Sequence, residues 1–250
     1  MRYFVEFSYD GKAYHGWQRQ PNAISVQQTL EEAMTTLLRS PVQLAGAGRT
    51  DTGVHARQLY AHFDLDSPLN TDEKVKRLNA FLPDDIAVRR IFQVNDKAHA
   101  RFDALERTYE YWVVQQKDPF YRDWAYYVHL PLDVEAMNKA ASLLLNHTNF
   151  ECFSKSNTDV KTYVCRMKKA SWKEDQSKLV FTITADRFLR NMVRAIVGTL
   201  LDVGLGKTTV ENVNSIIKSK DRGEAGVSVP AKGLYLTKIT YPKTLLDLNG

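Results

Sequence analysis

The chain has 250 residues, 44% hydrophobic and 25% charged, enough to bury a sizeable core in one large domain or two small ones and pointing to a globular, soluble protein. No run approaches the roughly 18 consecutive apolar residues of a membrane span, and the opening MRYFVEFSYDG alternates like a strand instead of presenting a signal peptide's apolar block, so a cytoplasmic location is expected. Lys and Arg exceed Asp and Glu by 34 to 29, a mild excess that favours polyanionic partners, and Cys152 and Cys165, outside any CxxC pair or Cys/His cluster, read as reduced, partly buried thiols.

Tyr3, Val5, Phe7 and Tyr9 alternate with Arg2, Glu6 and Ser8, the period of a half-buried strand, although Phe4 breaks the polar face. The strand ends at Asp10-Gly11. Ser25 and Gln28 form a capping-box pattern ahead of Val26, Leu30, Ala33, Met34, Leu37 and Leu38, one apolar face of a helix. Leu59, Ala61, Phe63 and Leu65 then alternate with Gln58, Tyr60, His62 and Asp64 as a second strand. A helix over 72–82 is stopped by Pro83, and a strand over 86–94 closes a β, α, β, α, β half.

The second half opens with a strand at 107–114, followed by a strand at 126–130 and a helix whose face is Val134, Met137, Ala141 and Leu144. Strands near 161–172 and 178–185 follow. A helix at about 189–203 ends in Gly204-Leu205-Gly206, another is started by the Thr208/Glu211 pair, and KGLYLTKITY supplies a last strand. With no residue-level repeat and no low-complexity linker, two related α+β halves fit better than tethered modules. They are placed at 1–104 and 105–250, with the seam near 96–106.

Phosphate-loop patterns fail on spacing. Gly48 to Gly53 has the Walker interval but is followed by Val54-His55; Gly206-Lys207-Thr208 has the ending but Leu201 stands where the first glycine belongs; and Asp51 occupies the third glycine position of GxGxxG. A two-metal site lacks its carboxylates, since the acids nearest Asp51 in sequence are Asp64 and Asp66, and no HExxH-like pair occurs. Asp51 is left beside Arg49, Thr50 and Thr52 in GAGRTDTGVHA. An ionised carboxylate kept from bulk water can act as nucleophile or base; alternatively Asp51 caps a turn whose unusual backbone angles come from Gly48 and Gly53.

In DRFLRNMVRAIVGTL, Arg187, Arg190 and Arg194 recur at helical spacing on one face, with Arg190 in the arc of Val193, Val197 and Leu201 and Arg194 at its border. A guanidinium there needs an anion, either a carboxylate such as Asp51 or a nucleic-acid phosphate. RTYEY puts Tyr109 and Tyr111 on one strand face, as core residues or as a platform for a splayed base. CRMKKASWK, with Arg166, Lys168, Lys169 and Lys173 around Trp172, reads equally as a phosphate track or as an edge strand guarded by lysines.

Five segments together, YHGWQRQP (14–21), GAGRTDTGVHA (46–56), HARFDALERTYEY (99–111), RFLRNMVRAIVGTL (187–200) and GVSVPAKGLYLTKITYP (226–242), resemble the TruA-type tRNA pseudouridine synthases in order and approximate spacing. The resemblance implies an α+β pseudouridine synthase fold of two ferredoxin-like halves sharing one extended mixed, mainly antiparallel sheet with a basic central cleft. It also implies a homodimer that isomerises uridine to pseudouridine in the anticodon arm of tRNA, at tRNA positions 38 to 40, without cofactor or metal. Carried over by position, Asp51 is the nucleophile, Tyr109 packs on the target base, Arg194 pairs with the Asp51 carboxylate, and Arg49 fills the space left by the turned-out uridine. Arg187, Arg190, Lys168 and Lys169 are further RNA-contact candidates. Attack by the Asp51 oxygen at ribose C1′ and at base C6 both fit these residues. Thr148-Asn149-Phe150 departs from the His-Asp-Phe common in that family. The alternative of a different class is a non-catalytic RNA-binding protein of two RRM-like halves, but the K/R-G-F/Y-G/A-F motif is absent and nothing in that reading accounts for a loop aspartate.

Overall fold

The computed structural model describes residues 1–156 and 160–246. In chain order it contains β1 (Arg2–Tyr9), α1 (Val26–Leu38), β2 (Ala45–Gly46), β3 (His55–Asp64), α2 (Thr71–Phe81), β4 (Ile86–Val94), β5 (Glu106–Val114), β6 (Tyr126–Tyr127), α3 (Val134–Leu143), β7 (Met167–Asp175), β8 (Lys178–Ala185), α4 (Met192–Gly204), α5 (Val210–Ser219), β9 (Leu234–Thr240) and α6 (Lys243–Leu246). Among the described residues no helix is long and apolar enough to cross a membrane.

The chain forms two compact units. One comprises residues 1–106 and 236–250, the other 107–235, so the C-terminal segment clusters with the first unit instead of lying wholly in a 105–250 half. In the first unit β1 lies between β3 and β4, antiparallel to both, with β2 antiparallel on β3. In the second, β8 lies between β5 and β7, antiparallel to both, while the short β6 runs parallel to β5. β9 begins in the second unit, where Tyr235 stacks on Trp112 at 4.2 Å, and its last five residues belong to the first. The fold is α+β with mixed, mainly antiparallel strands.

Local sequence accounts for most boundaries. Ser25 caps α1 by accepting from Gln28 N at 3.3 Å, but the Gln28 side chain turns to Glu32 instead of closing the box. Val26, Leu30, Ala33 and Met34 are buried on the expected face. Four boundaries differ from expectation. The strand placed at 161–172 is β7, starting at Met167; the strand at 126–130 shrinks to two residues; the cap of α5 is Thr209, which accepts from Asn212 N, and not Thr208. The fourth is the start of α4. Residue Asn191 has φ 65°, a left-handed conformation, so the helix begins only at Met192.

The larger difference lies in the first unit's sheet. Alternation in β1 and β3 predicts a solvated face through Glu6, Tyr60 and His62, yet all three are buried. Glu6 accepts from Arg90 Nε at 2.6 Å, Tyr60 OH at 2.8 Å and Gln58 Nε2 at 2.9 Å. Burial pushes its carboxyl up, but these donors outweigh that and hold it below its ordinary value. Tyr241 completes this side, packing edge-on against Phe4 and Tyr60 and donating from its hydroxyl to Ala100 O. His62 sits beneath His99, with ring centroids 4.5 Å apart, and its Nδ1 accepts from Ala100 N at 3.2 Å. The polar residues of this face are therefore the floor of a second buried layer, and alternation in sequence marks which face each occupies without marking exposure.

Burial, reinforced by the neighbouring Arg2 charge, pushes the His62 imidazole down to about 4. The folded state thus binds this proton less readily than the unfolded chain, whose histidine titrates near 6.5; the contribution is full above that value and is lost as pH falls towards 4. Thermal melting of the wild type from pH 7.5 to 5 is expected to lose on the order of 2 kcal/mol through this group. His62→Gln is expected to flatten that slope, and identical slopes in the two proteins would contradict the assignment.

Candidate active site

The loop GRTDTG joins β2 to β3, and its geometry is dictated by the segment following β1. Tyr9 OH lies 2.7 Å from Thr50 Oγ1, Trp17 N donates to Thr50 O at 3.3 Å, and Gly53 N donates to Tyr14 O at 3.3 Å. Tyr14, itself buried, is fixed by a 2.6 Å bond from its hydroxyl to Asp85. Trp17 is buried against Phe7, ring centroids 5.1 Å apart, and lies so close to Gly46 that a Cβ there would fall 2.4 Å from its Nε1. Within the loop, Val54 N closes a turn onto Asp51 O at 3.1 Å. Asp51 is half-buried and Arg49 exposed. Gly53 supplies a positive φ of 76°, whereas Gly48 has no neighbour within 4 Å of a built Cβ and no positive φ, so only the second of the two glycines is needed for the backbone.

At Gly11 a Cβ would fall 2.0 Å from Val54 O, and Gly16 makes a second such approach. Its φ is 85°, and a Cβ on it would fall 2.3 Å from Thr50 O. Tyr14, Gly16 and Trp17 and the loop therefore form one braced body, a role whose sequence signal is the Gly-aromatic cluster of the YHGWQRQP segment.

In the second unit, Tyr109 is half-buried on β5 opposite Ile183, and its ring meets Phe188 edge to face at 5.1 Å. Tyr111 is completely buried and donates from its hydroxyl to Pro230 O at 2.8 Å; burial holds its pKa well above the usual phenol range. The two tyrosines of RTYEY thus divide into one core residue and one partly accessible ring. Arg194, on the first turn of α4, donates from Nε to Val229 O at 2.7 Å, and Val229 N donates back to Arg194 O at 3.2 Å.

The three arginines do not share a helix face. Because α4 begins at Met192, Arg187 and Arg190 precede it: Arg187 Nη1 donates to Thr162 O at 3.1 Å, and Arg190 is exposed instead of lying in the buried arc of Val193, Val197 and Leu201. Lys168 and Lys169 are exposed on β7, the edge strand, whose backbone at Trp172 is paired on both its N–H and C=O by Asn138. That bonding covers part of the edge and leaves both lysines accessible, which fits a guarded edge and a phosphate track alike. At the Thr148-Asn149 departure, Asn149 Oδ1 accepts from Glu151 N at 3.0 Å and so starts a single 3-10 turn. Cys152 and Cys165 are free and fully buried, their thiols pushed up to about 12 and about 11 by burial, which keeps them inert as nucleophiles. Among the described residues no group of three or more His, Cys, Asp or Glu side chains is placed to hold a metal ion.

Gly16→Ala is expected to lose about 2 kcal/mol or more of stability, because it imposes both a positive φ and a clash with Thr50 O on a Cβ-bearing residue. Denaturant unfolding measures this; a loss below about 0.5 kcal/mol would show that the brace yields.

The family model described as tRNA pseudouridine synthase matches residues 7–103 and 140–242 of this chain. Among curated relatives, the tRNA pseudouridine synthase A of Bacteroides fragilis is 50% identical over 249 residues, covering 99% of each chain. That of Porphyromonas gingivalis is 51% identical over 248 residues, covering 98% of each, and that of a Thermoanaerobacter species 40% identical over 239 residues, covering 95% of this chain and 98% of its own. Matched over both units and along nearly its whole length, the chain belongs to the tRNA pseudouridine synthase family.

Proposed function

We propose that the protein isomerises uridine to pseudouridine in tRNA, with Asp51 as the nucleophile. The observation that carries this reading is the Asp51 loop, a half-buried carboxylate on a backbone braced at Thr50 and Gly53, in a chain related to tRNA pseudouridine synthases from end to end. In the reaction the N1–C1′ bond breaks, the uracil turns, and a C5–C1′ bond forms. The proton on C5 leaves to solvent while N1 gains one, so the product is an isomer and no redox partner is consumed. An oxygen nucleophile at C1′ or at C6 starts either version of this sequence, and a carboxylate held by rigid backbone bonds is oriented before the substrate arrives.

Tyr109 packs on the base, its ring position set by Phe188, and Arg194 pairs with the Asp51 carboxylate. Arg49, exposed beside the nucleophile, occupies the space vacated by the extruded nucleotide. Arg187, Arg190, Lys168 and Lys169 supply phosphate contacts. The finer elements of the proposal rest on the resemblance of the five motifs: the anticodon arm as target, positions 38 to 40 as the modified uridines, a homodimer as the working form, and a cytoplasmic location.

The test is tritium release from unmodified tRNA labelled at uridine C5. Asp51→Asn is expected to lower turnover by about three orders of magnitude or more while tRNA affinity stays within about three-fold, since a nucleophile and no phosphate contact is removed. Undiminished release would refute the role. Arg194→Ala is expected to cost about 100-fold in turnover and to lower the melting temperature, because a guanidinium bonded to Val229 O is lost. Normal rate together with normal stability would refute its pairing with Asp51.

A further inference from the structure

Residues 225–229, AGVSV, form no helix or strand, yet their backbone is tied at several points to α4 and to Arg222. Gly226 N donates to Thr199 Oγ1 at 2.9 Å, and Val229 exchanges two bonds with Arg194. Two glycines let this strap lie directly on α4: a Cβ on Gly198 would fall 1.9 Å from Val227 O, and one on Gly226 would fall 2.6 Å from Thr199 N. The strap is thus in backbone contact with the helix that carries Arg194.

Its outer side is held by two donors converging on one hydroxyl. Ser228 Oγ accepts from Asn191 Nδ2 at 2.5 Å and from Arg222 Nη2 at 2.9 Å, while Arg222 Nη1 reaches Ala225 O at 3.2 Å and Gly226 O at 3.1 Å. Asn191 occupies the position at which an asparagine would ordinarily cap the helix, but it makes no capping bond; its side chain is committed to Ser228 and its backbone to a left-handed conformation. Arg222 directs its fork at carbonyls and a hydroxyl. That is how a guanidinium is used when donor geometry, and not charge neutralisation, is required.

We infer that Arg222 and Ser228 are positioning residues for the isomerisation: they lock the strap so that Val229 O fixes Nε, and with it the plane, of the Arg194 guanidinium before substrate binds. This rests on the proposed role of Arg194. A side chain held through Nε has its orientation set in advance, and a mis-set guanidinium slows the chemical step without weakening tRNA binding elsewhere.

The experiment measures kcat and KM by tritium release for Arg222→Ala, Ser228→Ala, Ser228→Thr, Arg194→Ala and the double variant Arg222→Ala/Arg194→Ala, each checked for folding by melting. Arg222→Ala and Ser228→Ala are expected to lower kcat by about 10-fold or more with KM within about three-fold, and Ser228→Thr, which keeps the oxygen, to recover most of the rate. In the Arg194→Ala background the Arg222 change is expected to add less than about three-fold, because both act through one group. Wild-type kcat in Ser228→Ala, or losses that multiply in the double variant, would overturn the inference. Should Arg222→Ala fail to fold, the Ser228 pair decides alone. A slow Arg194→Ala beside a fast Ser228→Ala overturns only the positioning role; a fast Arg194→Ala overturns the reading of Arg194 itself.

Discussion

The approach of Gly16 to the Thr50 carbonyl is the constraint on which the loop carrying Asp51 is built. Two irregular segments touch backbone to backbone, at Gly16 against Thr50 and at Gly11 against Val54, where no side chain would fit, and the other braces bridge the same pair of segments. Tyr9 can reach Thr50, Trp17 can fill the space over Gly46, and Tyr14 O can take the Gly53 proton because the two segments already lie side by side. The result is a loop with short-range order but no regular secondary structure. A carboxylate presented this way avoids the entropy that a freely moving loop would lose on binding a bulky RNA.

Most of the fold can be read in the sequence because its elements are terminated by strong local signals. Pro83 closes α2, the Ser25 hydroxyl opens α1, and β4 and β8 run between the expected residues. What cannot be read locally is the covering of the first unit's polar sheet face. The groups that bury Glu6, Tyr60 and His62 come from residues 90, 98–104 and 241, far along the chain, and no window of sequence reports them.

The site divides in the same way. Asp51 and Tyr109 are singled out by the resemblance of their segments, since an acid between an arginine and a glycine also suits a turn cap and most strand tyrosines are core residues. The arginine trio is misleading for a physical reason: Leu189, Met192, Val193 and Ile196 are all buried, so helical periodicity continues through a turn that is not helical, and only the left-handed Asn191 breaks it. Nothing in the residues themselves announces that Asn191 makes no capping bond through Oδ1 and instead donates from Nδ2 to Ser228, because asparagine carries both groups. The glycines at 198 and 226 are the nearest sequence signal, and their meaning appears only when the two are seen face to face.

The division of β9 has a bearing on synthesis. The first unit holds the first 106 residues together with residues from 236 onward, so the half that carries Asp51 is discontinuous in the chain. A ribosome adds roughly 5–20 residues per second, so this half waits seconds for its closing strand after its own first strands have emerged. Tyr241, which roofs Phe4 and Tyr60 and bonds Ala100, arrives directly after that strand. During that interval Phe4 and Tyr60 lack the cover that Tyr241 gives them in the folded protein. The same order of events gives residues 236–241 a closing role: a chain interrupted before them leaves the buried face around Phe4 and Tyr60 without its cover.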